Sequence, residues 1–387
     1  MRVLFVVGFY PEIGGPFTAI RSLLKKISER GVSARVVSPI PKGYDVKKLD
    51  FIKDLPAEVI YVEEELPRYI MPSFSLKFFD IIRQEAKNVN LIYLAGLFDF
   101  YGIAVWKSEK PYIYGTHGTF MKDAYEMKKF KKIKKEVFLA LIGNRILRKA
   151  RRIHVKTEEE RVNFVTYFPQ FENKVVVIPN GIELENQDGH ESYILNTPQT
   201  QNKKVVLFLG RLNWIKGLDI LLLGFSRLKK EVSDIHLVIA GRDDGDGYEK
   251  TVKAWVKKHG LEKDVTFTGF VQGKEKIGLL RRSDVLIMPS YSENFGIVAI
   301  EGMAHGLPVI VSSRIGIVQE IAQWKAGIII EPTAEGVYRG LKDWLSMENE
   351  ELESMKKRAK KMIRELYDLD KVADRMVQLF REVVENG

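Results

Sequence analysis

Two glutamates eight positions apart are the first side chains whose types and spacing could do chemistry. Glu293 and Glu301 lie in the segment SENFGIVAIEGMAHGLP, one just before and one inside the predicted opening turns of a helix. Along a helix this spacing corresponds to about 12 Å. That is close to the span from a nucleotide's ribose to the hydroxyls of a sugar on its second phosphate, so both carboxylates could accept hydrogen bonds from hydroxyl groups. A capping acid followed by an unrelated helical acid is the alternative.

Two cations in the segment FLGRLNWIKG could bind a diphosphate. Arg211 and Lys216 flank a turn at the start of a predicted helix, and Gly217 admits close approach of a ligand. A guanidinium can form two parallel hydrogen bonds to phosphate oxygens, while an ammonium acts as a point charge. Two solvated surface cations are the alternative interpretation.

A glycine pair in the segment GFYPEIGGPFTAI offers another place for a phosphate. Gly14 and Gly15 come just before a predicted helix, where unpaired backbone N–H groups and the positive end of the helix dipole favour anions. A merely flexible loop is the alternative. The G-x-G-x-x-G fingerprint is absent from the sequence, which argues against a nicotinamide enzyme.

The elements that must position these residues form two series of short apolar runs alternating with helical patterns. Such runs are typical of strands buried on both faces of a parallel sheet. The predicted strands are 2–7, 34–38, 59–62, 91–94, 112–114, 153–156 and 175–178, then 205–209, 236–240, 265–268, 285–288, 308–311 and 327–330. Two such series predict an α/β protein with two Rossmann-like, doubly wound domains. We expect these domains to face each other across a cleft lined by strand-to-helix loops.

The length of 387 residues also favours two domains, because one hydrophobic core rarely serves so long a chain. We place the N-terminal domain at 1–185, a linker rich in turn formers at 186–203 and the C-terminal domain at 204–365. The remaining residues, 366–387, carry a helical pattern with no strand to cover. We therefore expect this last helix to brace the two domains.

The combination of motifs resembles the retaining, nucleotide-sugar-dependent glycosyltransferases of the two-Rossmann-domain (GT-B) type, in the large family 4. The matching motifs occur in family order: Gly14-Gly15, Thr116-His117-Gly118, Pro179-Asn180-Gly181-Ile182, Gly210-Arg211-Leu212 with Lys216-Gly217, and Glu293-x7-Glu301. The two-glutamate motif with the Arg/Lys pair is specific, whereas the glycine pair and the Pro-Asn-Gly turn are not. Phosphorylases and sugar-nucleotide 2-epimerases share the architecture but not this set.

The resemblance implies a role for each matched residue. Arg211 and Lys216 would hold the donor diphosphate, Glu301 the ribose hydroxyls, and Glu293 with the amides of Asn294, Phe295 and Gly296 the hydroxyls of the donor sugar. His117 would lie near the sugar's far hydroxyl, in a positioning role in preference to that of general base. Gly15, next to Gly14, would offer its amide to a phosphate. The nucleotide base would lie against the Thr268–Val271 loop, which includes Phe270 and Val271.

The resemblance also implies a mechanism. Retention through a covalent intermediate needs two carboxylates about 5 Å apart, and we identify no acid for the sugar's opposite face. We expect a same-face displacement in which the leaving phosphate accepts the proton of the incoming hydroxyl, without metal or cofactor. Asp244-Gly245-Asp246 matches the Asp-x-Asp signature of metal-dependent glycosyltransferases, but a Gly/Asp loop is first of all turn chemistry.

A basic segment at 127–152 carries eleven Lys or Arg residues and one acid, Glu136. Phe130, Ile133, Val137 and Leu141 recur in it at helical spacing, which predicts an amphipathic cationic helix. The helix could be a solvated face packed on its apolar stripe, or it could dock on anionic lipid headgroups. Nucleic-acid binding is the alternative from another class, but the sequence lacks base-stacking aromatics and a recognised reading module.

We expect a cytoplasmic protein from the composition, with attachment to the inner face of the membrane as an option. Cysteine is absent, so disulfides, thiolate nucleophiles and Cys-ligated metals are excluded. The opening VLFVV run predicts a buried first strand and not a signal peptide.

We expect an enzyme that moves a hexose from a UDP- or GDP-sugar to a hydroxyl acceptor in polysaccharide or glycolipid synthesis. A transferase acting on a soluble acceptor, including a synthase of a small glycoside, is the alternative.

Overall fold

The computed structural model describes residues 1–45, 49, 52–66, 73–120, 136–184, 200, 202–243 and 245–386. The chain divides into two compact units, the first made of Met1–Glu183 and Tyr367–Gly387 and the second of Leu184–Leu366. Most of the predicted linker at 186–203 lies outside the described residues, as do positions 127–135 of the basic segment. The chain leaves the first unit once and returns to it with its last helix.

Seven parallel strands form the sheet of the first unit. They are β1 (Arg2–Val6), β2 (Ser33–Ile40), β3 (Ala57–Glu63), β4 (Leu91–Ala95), β5 (Tyr112–Gly115), β6 (Arg152–Val155) and β7 (Val175–Val177). Their order is β3-β2-β1-β4-β5-β6-β7, and every neighbouring pair is parallel. All seven strands predicted from the first series are confirmed.

Six parallel strands form the sheet of the second unit. They are β8 (Lys204–Leu209), β9 (Ile235–Ala240), β10 (Val265–Gly269), β11 (Val285–Met288), β12 (Val309–Ser312) and β13 (Ile328–Ile330). Their order is β10-β9-β8-β11-β12-β13. The six strands of the second predicted series are therefore confirmed, and so are two doubly wound α/β sheets. In each sheet the strand order reverses beside the first strand, and such switch points are where open α/β sheets bind ligands.

Helices form most of the described connections between the strands, as is usual for parallel pairing. The described α-helices of at least six residues are α1 (Gly15–Glu29), α2 (Lys77–Ala86), α3 (Phe100–Lys107), α4 (Asn144–Lys149), α5 (Glu158–Tyr167), α6 (Leu218–Lys229), α7 (Tyr248–Lys258), α8 (Gly273–Arg282), α9 (Ile297–Ala304), α10 (Val318–Trp324), α11 (Ala334–Ser346), α12 (Asn349–Leu366) and α13 (Leu369–Glu385).

Alternate residues of the central strands of the first unit enter different hydrophobic cores. Leu4 and Ile92 pack in one core with residues of α2, α3 and α5. Phe5 and Tyr93 pack in the other core with residues of α1 and α13. Because strand side chains alternate between faces, the sheet is covered on both sides, which explains why its strands read as continuous apolar runs.

The last helix packs on the first unit. Its N-cap is Asp368, whose side chain accepts a hydrogen bond from the backbone N–H of Asp370 at 2.9 Å. Arg30, which follows α1, donates to the carboxylates of Asp370 at 3.0 Å and Asp374 at 2.6 Å. Arg375 donates to the carbonyl of Val177, the last residue of β7, at 2.6 Å. The predicted C-terminal helix is therefore part of the fold of the first unit.

Candidate functional site

The loop after β8 presents two of the predicted site residues at the switch point of the second sheet. Arg211 is exposed, and Lys216 ends a short 3-10 turn that begins at Trp214. Gly217 then adopts a left-handed conformation with φ of 69° before α6 begins. A Cβ at Gly217 would lie 2.3 Å from the carbonyl oxygen of Pro289, so only glycine lets this turn approach the end of β11 so closely.

The loop after β11 is bonded directly to the loop after β8. The backbone N–H of Tyr291 donates to the carbonyl of Ile215 at 2.8 Å. The hydroxyl of Tyr291 donates to the carboxylate of Asp219, in the first turn of α6, at 2.7 Å. These two bonds fix the register of the loops, so the side chains that follow Tyr291 face those that precede Asp219.

This register brings Lys216 and Glu293 together. Their ammonium and carboxylate form an ion pair, and their side chains are 19% and 18% exposed. The backbone of Glu293 is held on its other side, because its N–H donates to Arg314 O at 3.0 Å and its carbonyl accepts from Gly316 N at 2.9 Å. The structure thus pairs a residue predicted to bind the diphosphate with a residue predicted to bind the donor sugar.

Glu301 forms a second ion pair that sequence reasoning missed. Its carboxylate lies 2.6 Å from the ammonium of Lys276, which is on α8. Both side chains are half-buried. The only signal in the sequence was a lysine in a helical pattern after a predicted strand, which is too common to single out.

The residues between the two acids form the N-terminus of α9. Gly296 adopts a left-handed conformation with φ of 88° and starts the helix, whose first N–H groups have no acceptor within the helix. Phe295 is buried, which anchors the turn. The side-chain oxygen of Asn294 is buried, and no partner accounts for it in the described part of the chain. This segment can therefore offer both N–H donors and an acceptor oxygen.

The predicted base-binding loop follows β10. Phe270 is 54% exposed, and the guanidinium of Arg242 lies over its ring at 4.7 Å from the centroid, whereas Val271 is buried. Arg242 follows β9, and Gly241 before it comes close to the β8 loop. A Cβ at Gly241 would lie 1.8 Å from Gly210 O. An exposed aromatic ring at this strand end offers a flat apolar surface.

The described carboxylates in and beside the Asp-x-Asp motif accept backbone hydrogen bonds in a turn. Asp244 lies outside the described residues. The Asp246 carboxylate accepts from Tyr248 N at 3.1 Å, at the start of α7. The neighbouring Asp243 accepts from Gly245 N at 3.1 Å and Glu249 N at 3.3 Å. No group of three or more potential metal-binding His, Asp or Glu side chains occurs among the residues that the structure describes.

In the first unit, His117 lies in the loop after β5 in an unusual backbone conformation. Its φ is 45°, in the left-handed region that non-glycine residues rarely adopt. The buried carboxylate of Glu160 holds the residues on both sides, because it accepts from Thr116 Oγ1 at 2.6 Å and Gly118 N at 2.5 Å. Its other oxygen accepts from Lys156 N at 2.7 Å. Strained residues that are held this firmly cluster at functional sites.

The surroundings of this loop disfavour the charged form of its imidazole. Burial lowers the pKa of His117 well below its ordinary value, and the charge of Lys156 lowers this pKa further. Burial also lowers the pKa of Lys156 to about 8, although Glu160 opposes that shift. Sequence reasoning missed Glu160 and Lys156. An acid such as Glu160 in the first turn of a helix is normally interpreted as an exposed capping residue.

Gly14 and Gly15 lie at the end of the first sheet that also carries His117. Gly14 has φ of 76° and precedes α1, whose first residue is Gly15. The N–H of Gly14 donates to Pro11 O at 2.9 Å. Gly15 is exposed. The amide of Gly15 is therefore the first N–H group of a fifteen-residue helix, the position at which an anion is favoured.

The described part of the basic segment presents apolar side chains to solvent. Val137 is 52% exposed and Leu141 is 59% exposed. The segment continues through a π-helical turn at Leu139–Gly143 into α4. The two predicted stripe positions that are described are thus not packed in a core. Among the described helices, none is both long and apolar enough to cross a membrane.

The two units are parallel α/β domains of seven and six strands, and loops with glycines and charged side chains lie at their switch points. This arrangement is the GT-B class of fold. Two family models match the sequence: Glycosyltransferase Family 4 over residues 13–186 and Glycosyl transferases group 1 over residues 194–362. These ranges together take in most of the chain, and the chain belongs to the family 4 glycosyltransferases.

Several curated proteins are similar in sequence. An uncharacterized glycosyltransferase of Methanocaldococcus jannaschii is 34% identical over 225 residues, which is 55% of each chain. Mannosylfructose-phosphate synthase of Agrobacterium fabrum is 36% identical over 33% of this chain and 30% of its own length. D-inositol 3-phosphate glycosyltransferase of Streptomyces scabiei is 29% identical over 48% of this chain and 44% of its own length. The chain thus spans about half or less of these relatives.

Solved structures match the fold over almost the whole chain. The Anabaena protein HepE, in complex with UDP and glucose, has a TM-score of 0.80 and 18% identity, and covers 99% of this chain and 100% of its own. Sucrose-phosphate synthase of Thermosynechococcus elongatus has a TM-score of 0.77 and 18% identity, with both chains covered completely. At this identity the likeness shows the fold.

Proposed function

We propose that this protein is a retaining glycosyltransferase that moves a hexose from a UDP- or GDP-sugar to a hydroxyl acceptor. The observation that carries the proposal is the ion pair of Lys216 and Glu293 at the switch point of the second sheet. A nucleoside diphosphate sugar needs a cation for its phosphates and an acceptor oxygen for its sugar hydroxyls. This pair supplies both groups from two bonded loops.

The cations bind the diphosphate. An ammonium has three N–H donors, so Lys216 can keep one bond to Glu293 and direct another at a phosphate oxygen. Arg211, five positions earlier in the same loop, adds the planar guanidinium that suits paired phosphate oxygens. The charge of the leaving diphosphate grows as the sugar bond breaks, so preorganised cations stabilise the transition state more than the bound donor.

The acids and the helix terminus bind the hydroxyl groups. Glu301 accepts from the ribose, and its ion pair with Lys276 holds the carboxylate in one orientation. Glu293 and the buried side-chain oxygen of Asn294 accept from the donor sugar. The nucleotide base lies on the exposed ring of Phe270 beside Val271. Hydrogen bonds between hydroxyls and carboxylates are charge-assisted, so each is stronger than a neutral one.

The reaction is a same-face displacement without metal. The acceptor hydroxyl attacks the anomeric carbon on the face that the diphosphate leaves, and the leaving phosphate oxygen takes the hydroxyl proton. The anomeric bond to phosphate breaks as the bond to the acceptor forms, so configuration is retained. His117 and the amide of Gly15, with Gly14, act as positioning groups for the sugar and a phosphate.

The acceptor carries a free hydroxyl and belongs to polysaccharide or glycolipid synthesis. The exposed side chains of Val137 and Leu141 in the basic segment support a lipid-linked acceptor, because apolar and cationic groups together favour an anionic membrane surface. A small soluble acceptor is the second candidate. It is favoured by the similarity to a mannosylfructose-phosphate synthase and a D-inositol 3-phosphate glycosyltransferase.

The test is a donor screen followed by analysis of the product linkage. The protein is incubated with α-linked UDP- and GDP-hexoses, and released nucleotide is measured with water or simple alcohols as acceptors. We expect one donor to be consumed, with an α-linked product seen by NMR. A β-linked product would overturn retention, and release from no donor would overturn the activity.

A further inference from the structure

A chain of hydrogen bonds runs across four adjacent strands of the first unit and ends at His117. The carbonyl of Ile178, just after β7, lies 2.7 Å from Nε2 of His154 on β6. The other nitrogen of that ring, Nδ1, lies 2.9 Å from the hydroxyl of Tyr93 on β4. The same hydroxyl lies 3.2 Å from Nε2 of His117 after β5. These contacts link four residues that are far apart in sequence.

The carbonyl of Ile178 fixes which group donates in each hydrogen bond of this series. A carbonyl oxygen can only accept, so Nε2 of His154 carries a hydrogen and Nδ1 of that neutral ring carries a lone pair. The hydroxyl of Tyr93 must then donate to His154 Nδ1. Its oxygen is left to accept from Nε2–H of His117. In the neutral imidazole of His117, Nδ1 therefore carries the lone pair.

The neutral state of all three side chains follows from their surroundings. Tyr93 and His154 are buried, and burial raises the pKa of the Tyr93 phenol and lowers the pKa of the His154 imidazole. Lys156 adds to the second effect, because its ammonium lies near His154 with Nζ 3.5 Å from Nε2. At that distance it is a weaker partner than the carbonyl at 2.7 Å.

Gly115 makes the chain of bonds possible. It is the last residue of β5, between β4 and β6, and it pairs in register with His154. A Cβ at Gly115 would lie 2.3 Å from the hydroxyl of Tyr93 and 3.2 Å from the His117 ring. The absence of a side chain there lets the Tyr93 hydroxyl pass over β5 and reach β6. This glycine reads as an ordinary strand end in the sequence.

We propose that Tyr93 and His154 are positioning residues that hold His117 as the Nε2–H tautomer, so that its Nδ1 presents a lone pair to a hydroxyl group of the donor sugar. The donor sugar as the ligand of His117 rests on the proposed function, whereas the tautomer of His117 rests on the structure alone. His117 is half-buried, so the ring is accessible from one side. An acceptor nitrogen favours a sugar that carries a hydroxyl at that place over one that carries a carboxylate or a hydrogen.

The tautomer can be read without any donor. The protein has six histidines, and selective ¹⁵N labelling with two-bond ¹H–¹⁵N correlation distinguishes protonated from bare ring nitrogens. His117→Gln and His154→Gln assign the two signals. We expect both rings to be neutral and protonated on Nε2 at pH 7. A His117 ring that is protonated on Nδ1, or one that exchanges between tautomers, overturns the proposal from the wild-type spectrum alone.

Tyr93→Phe tests the linkage between the rings. It removes the hydroxyl but keeps the ring that packs against Phe5 with centroids 5.3 Å apart. Tyr112→Phe is the matched control, since it removes a fully buried hydroxyl that donates to Ile146 O at 2.5 Å in the other core.

We expect the His117 signals to shift to a mixture of tautomers in Tyr93→Phe and to keep the wild-type tautomer in Tyr112→Phe. His154→Gln should act as Tyr93→Phe does. Equal spectra in Tyr93→Phe and wild type overturn the linkage.

Kinetics then test the use of the lone pair. In Tyr93→Phe we expect kcat/KM for the donor to fall roughly tenfold, as for loss of one well-oriented hydrogen bond, with Tyr112→Phe near wild type. An unchanged value overturns the role in donor binding. A wild type with the expected tautomer that turns over no donor would instead overturn the proposed function, so the two failures are distinguishable.

Discussion

Lys216 and Glu293 are 77 positions apart in sequence and form an ion pair between the loops that follow β8 and β11. The two loops belong to neighbouring strands at the point where the strand order of the second sheet reverses. A lysine and a glutamate that are both about four-fifths buried normally need each other, because a buried unpaired charge is costly. In the proposed function the same pair supplies the cation for the donor diphosphate and the hydrogen-bond acceptor for the donor sugar.

The register of these loops depends on Tyr291, and this dependence can be tested. Tyr291→Phe removes the bond to Asp219 and leaves a half-buried carboxylate without that donor. We expect the free energy of unfolding to fall by about 1–2 kcal/mol and donor kcat/KM to fall about tenfold. Chemical denaturation and steady-state kinetics measure the two effects. Tyr338→Phe on α11 serves as the control, because its hydroxyl donates to the carboxylate of Glu231 at 2.7 Å, beyond the other end of α6. Equal turnover in both variants would argue that the Tyr291 bond does not set the register.

Glu301 should contribute to nucleotide binding even without the sugar. Glu301→Gln removes the charge that we propose accepts from ribose hydroxyls, so we expect the Kd of UDP or GDP to rise about ten- to a hundredfold. Isothermal titration calorimetry measures the change. Glu353→Gln is the control, because Glu353 pairs with Lys356 on α12 of the same unit at 2.7 Å and is exposed. Equal affinity in Glu301→Gln and wild type would remove Glu301 from the nucleotide site.

The sequence predicted every strand of both sheets, because strands covered on both faces must be apolar at consecutive positions. It also identified the loops after β1, β5, β8 and β11, since glycines and charges at the ends of apolar runs are locally visible. The pairing partners were not visible. Lys276 contacts Glu301 through the packing of α8, and nothing in the segment GKEKIG distinguishes its lysines from solvated ones.

The network behind His117 was hidden for a related reason. Tyr93 and His154 lie within apolar strands, where a tyrosine or histidine reads as core filling. Their relation depends on the order β4-β5-β6 and on the register of those parallel strands. Gly115 pairs with His154, and Tyr93 pairs with Ile113, two residues before Gly115 on the same strand. Register across a parallel sheet cannot be derived from the composition of single strands.

The pH dependence of stability should reveal Lys156. Its pKa is about 8 in the folded protein, against 10.5 for the free side chain, mainly because of burial. Between these values the unfolded chain binds more protons, so the free energy of unfolding rises with pH from 8 to 10.5. The rise from this group is about 3 kcal/mol. Denaturation of wild type and Lys156→Met across that range should give curves that diverge by this amount, and parallel curves would show that Lys156 titrates normally.

Catalysis should not depend on a divalent metal. Asp243 and Asp246 accept backbone hydrogen bonds in the turn before α7, so their carboxylates already have structural partners. We expect donor turnover to persist in EDTA and to fall no more than about threefold in Asp244→Asn with Asp246→Asn, as for loss of one turn hydrogen bond. Loss of turnover in EDTA with recovery on adding manganese would place a metal at this motif.

The basic segment should bind anionic membranes if the acceptor is lipid-linked. Changing Lys128, Lys131, Lys132 and Lys135 to Gln should weaken binding to anionic vesicles, by roughly 1 kcal/mol for each cation near the surface, and less at high salt. Val137→Ser with Leu141→Ser should weaken it further, because both side chains are exposed. Flotation with anionic and neutral vesicles measures the effect. Equally poor flotation of the wild type with both at low salt would favour a soluble acceptor.

The proposed diphosphate site is tested most sharply by comparing the turnover of UDP- and GDP-hexoses in the wild type, Lys216→Ala and Arg211→Ala. Lys230→Ala, an exposed lysine at the end of α6, is the control. The loss of one preorganised charge at the leaving diphosphate costs about 3–4 kcal/mol. We therefore expect nucleotide release to fall by at least about a hundredfold in Lys216→Ala and Arg211→Ala, with unchanged circular dichroism, and to stay near wild type in Lys230→Ala. Near-normal release in both of the first two variants would contradict the diphosphate site.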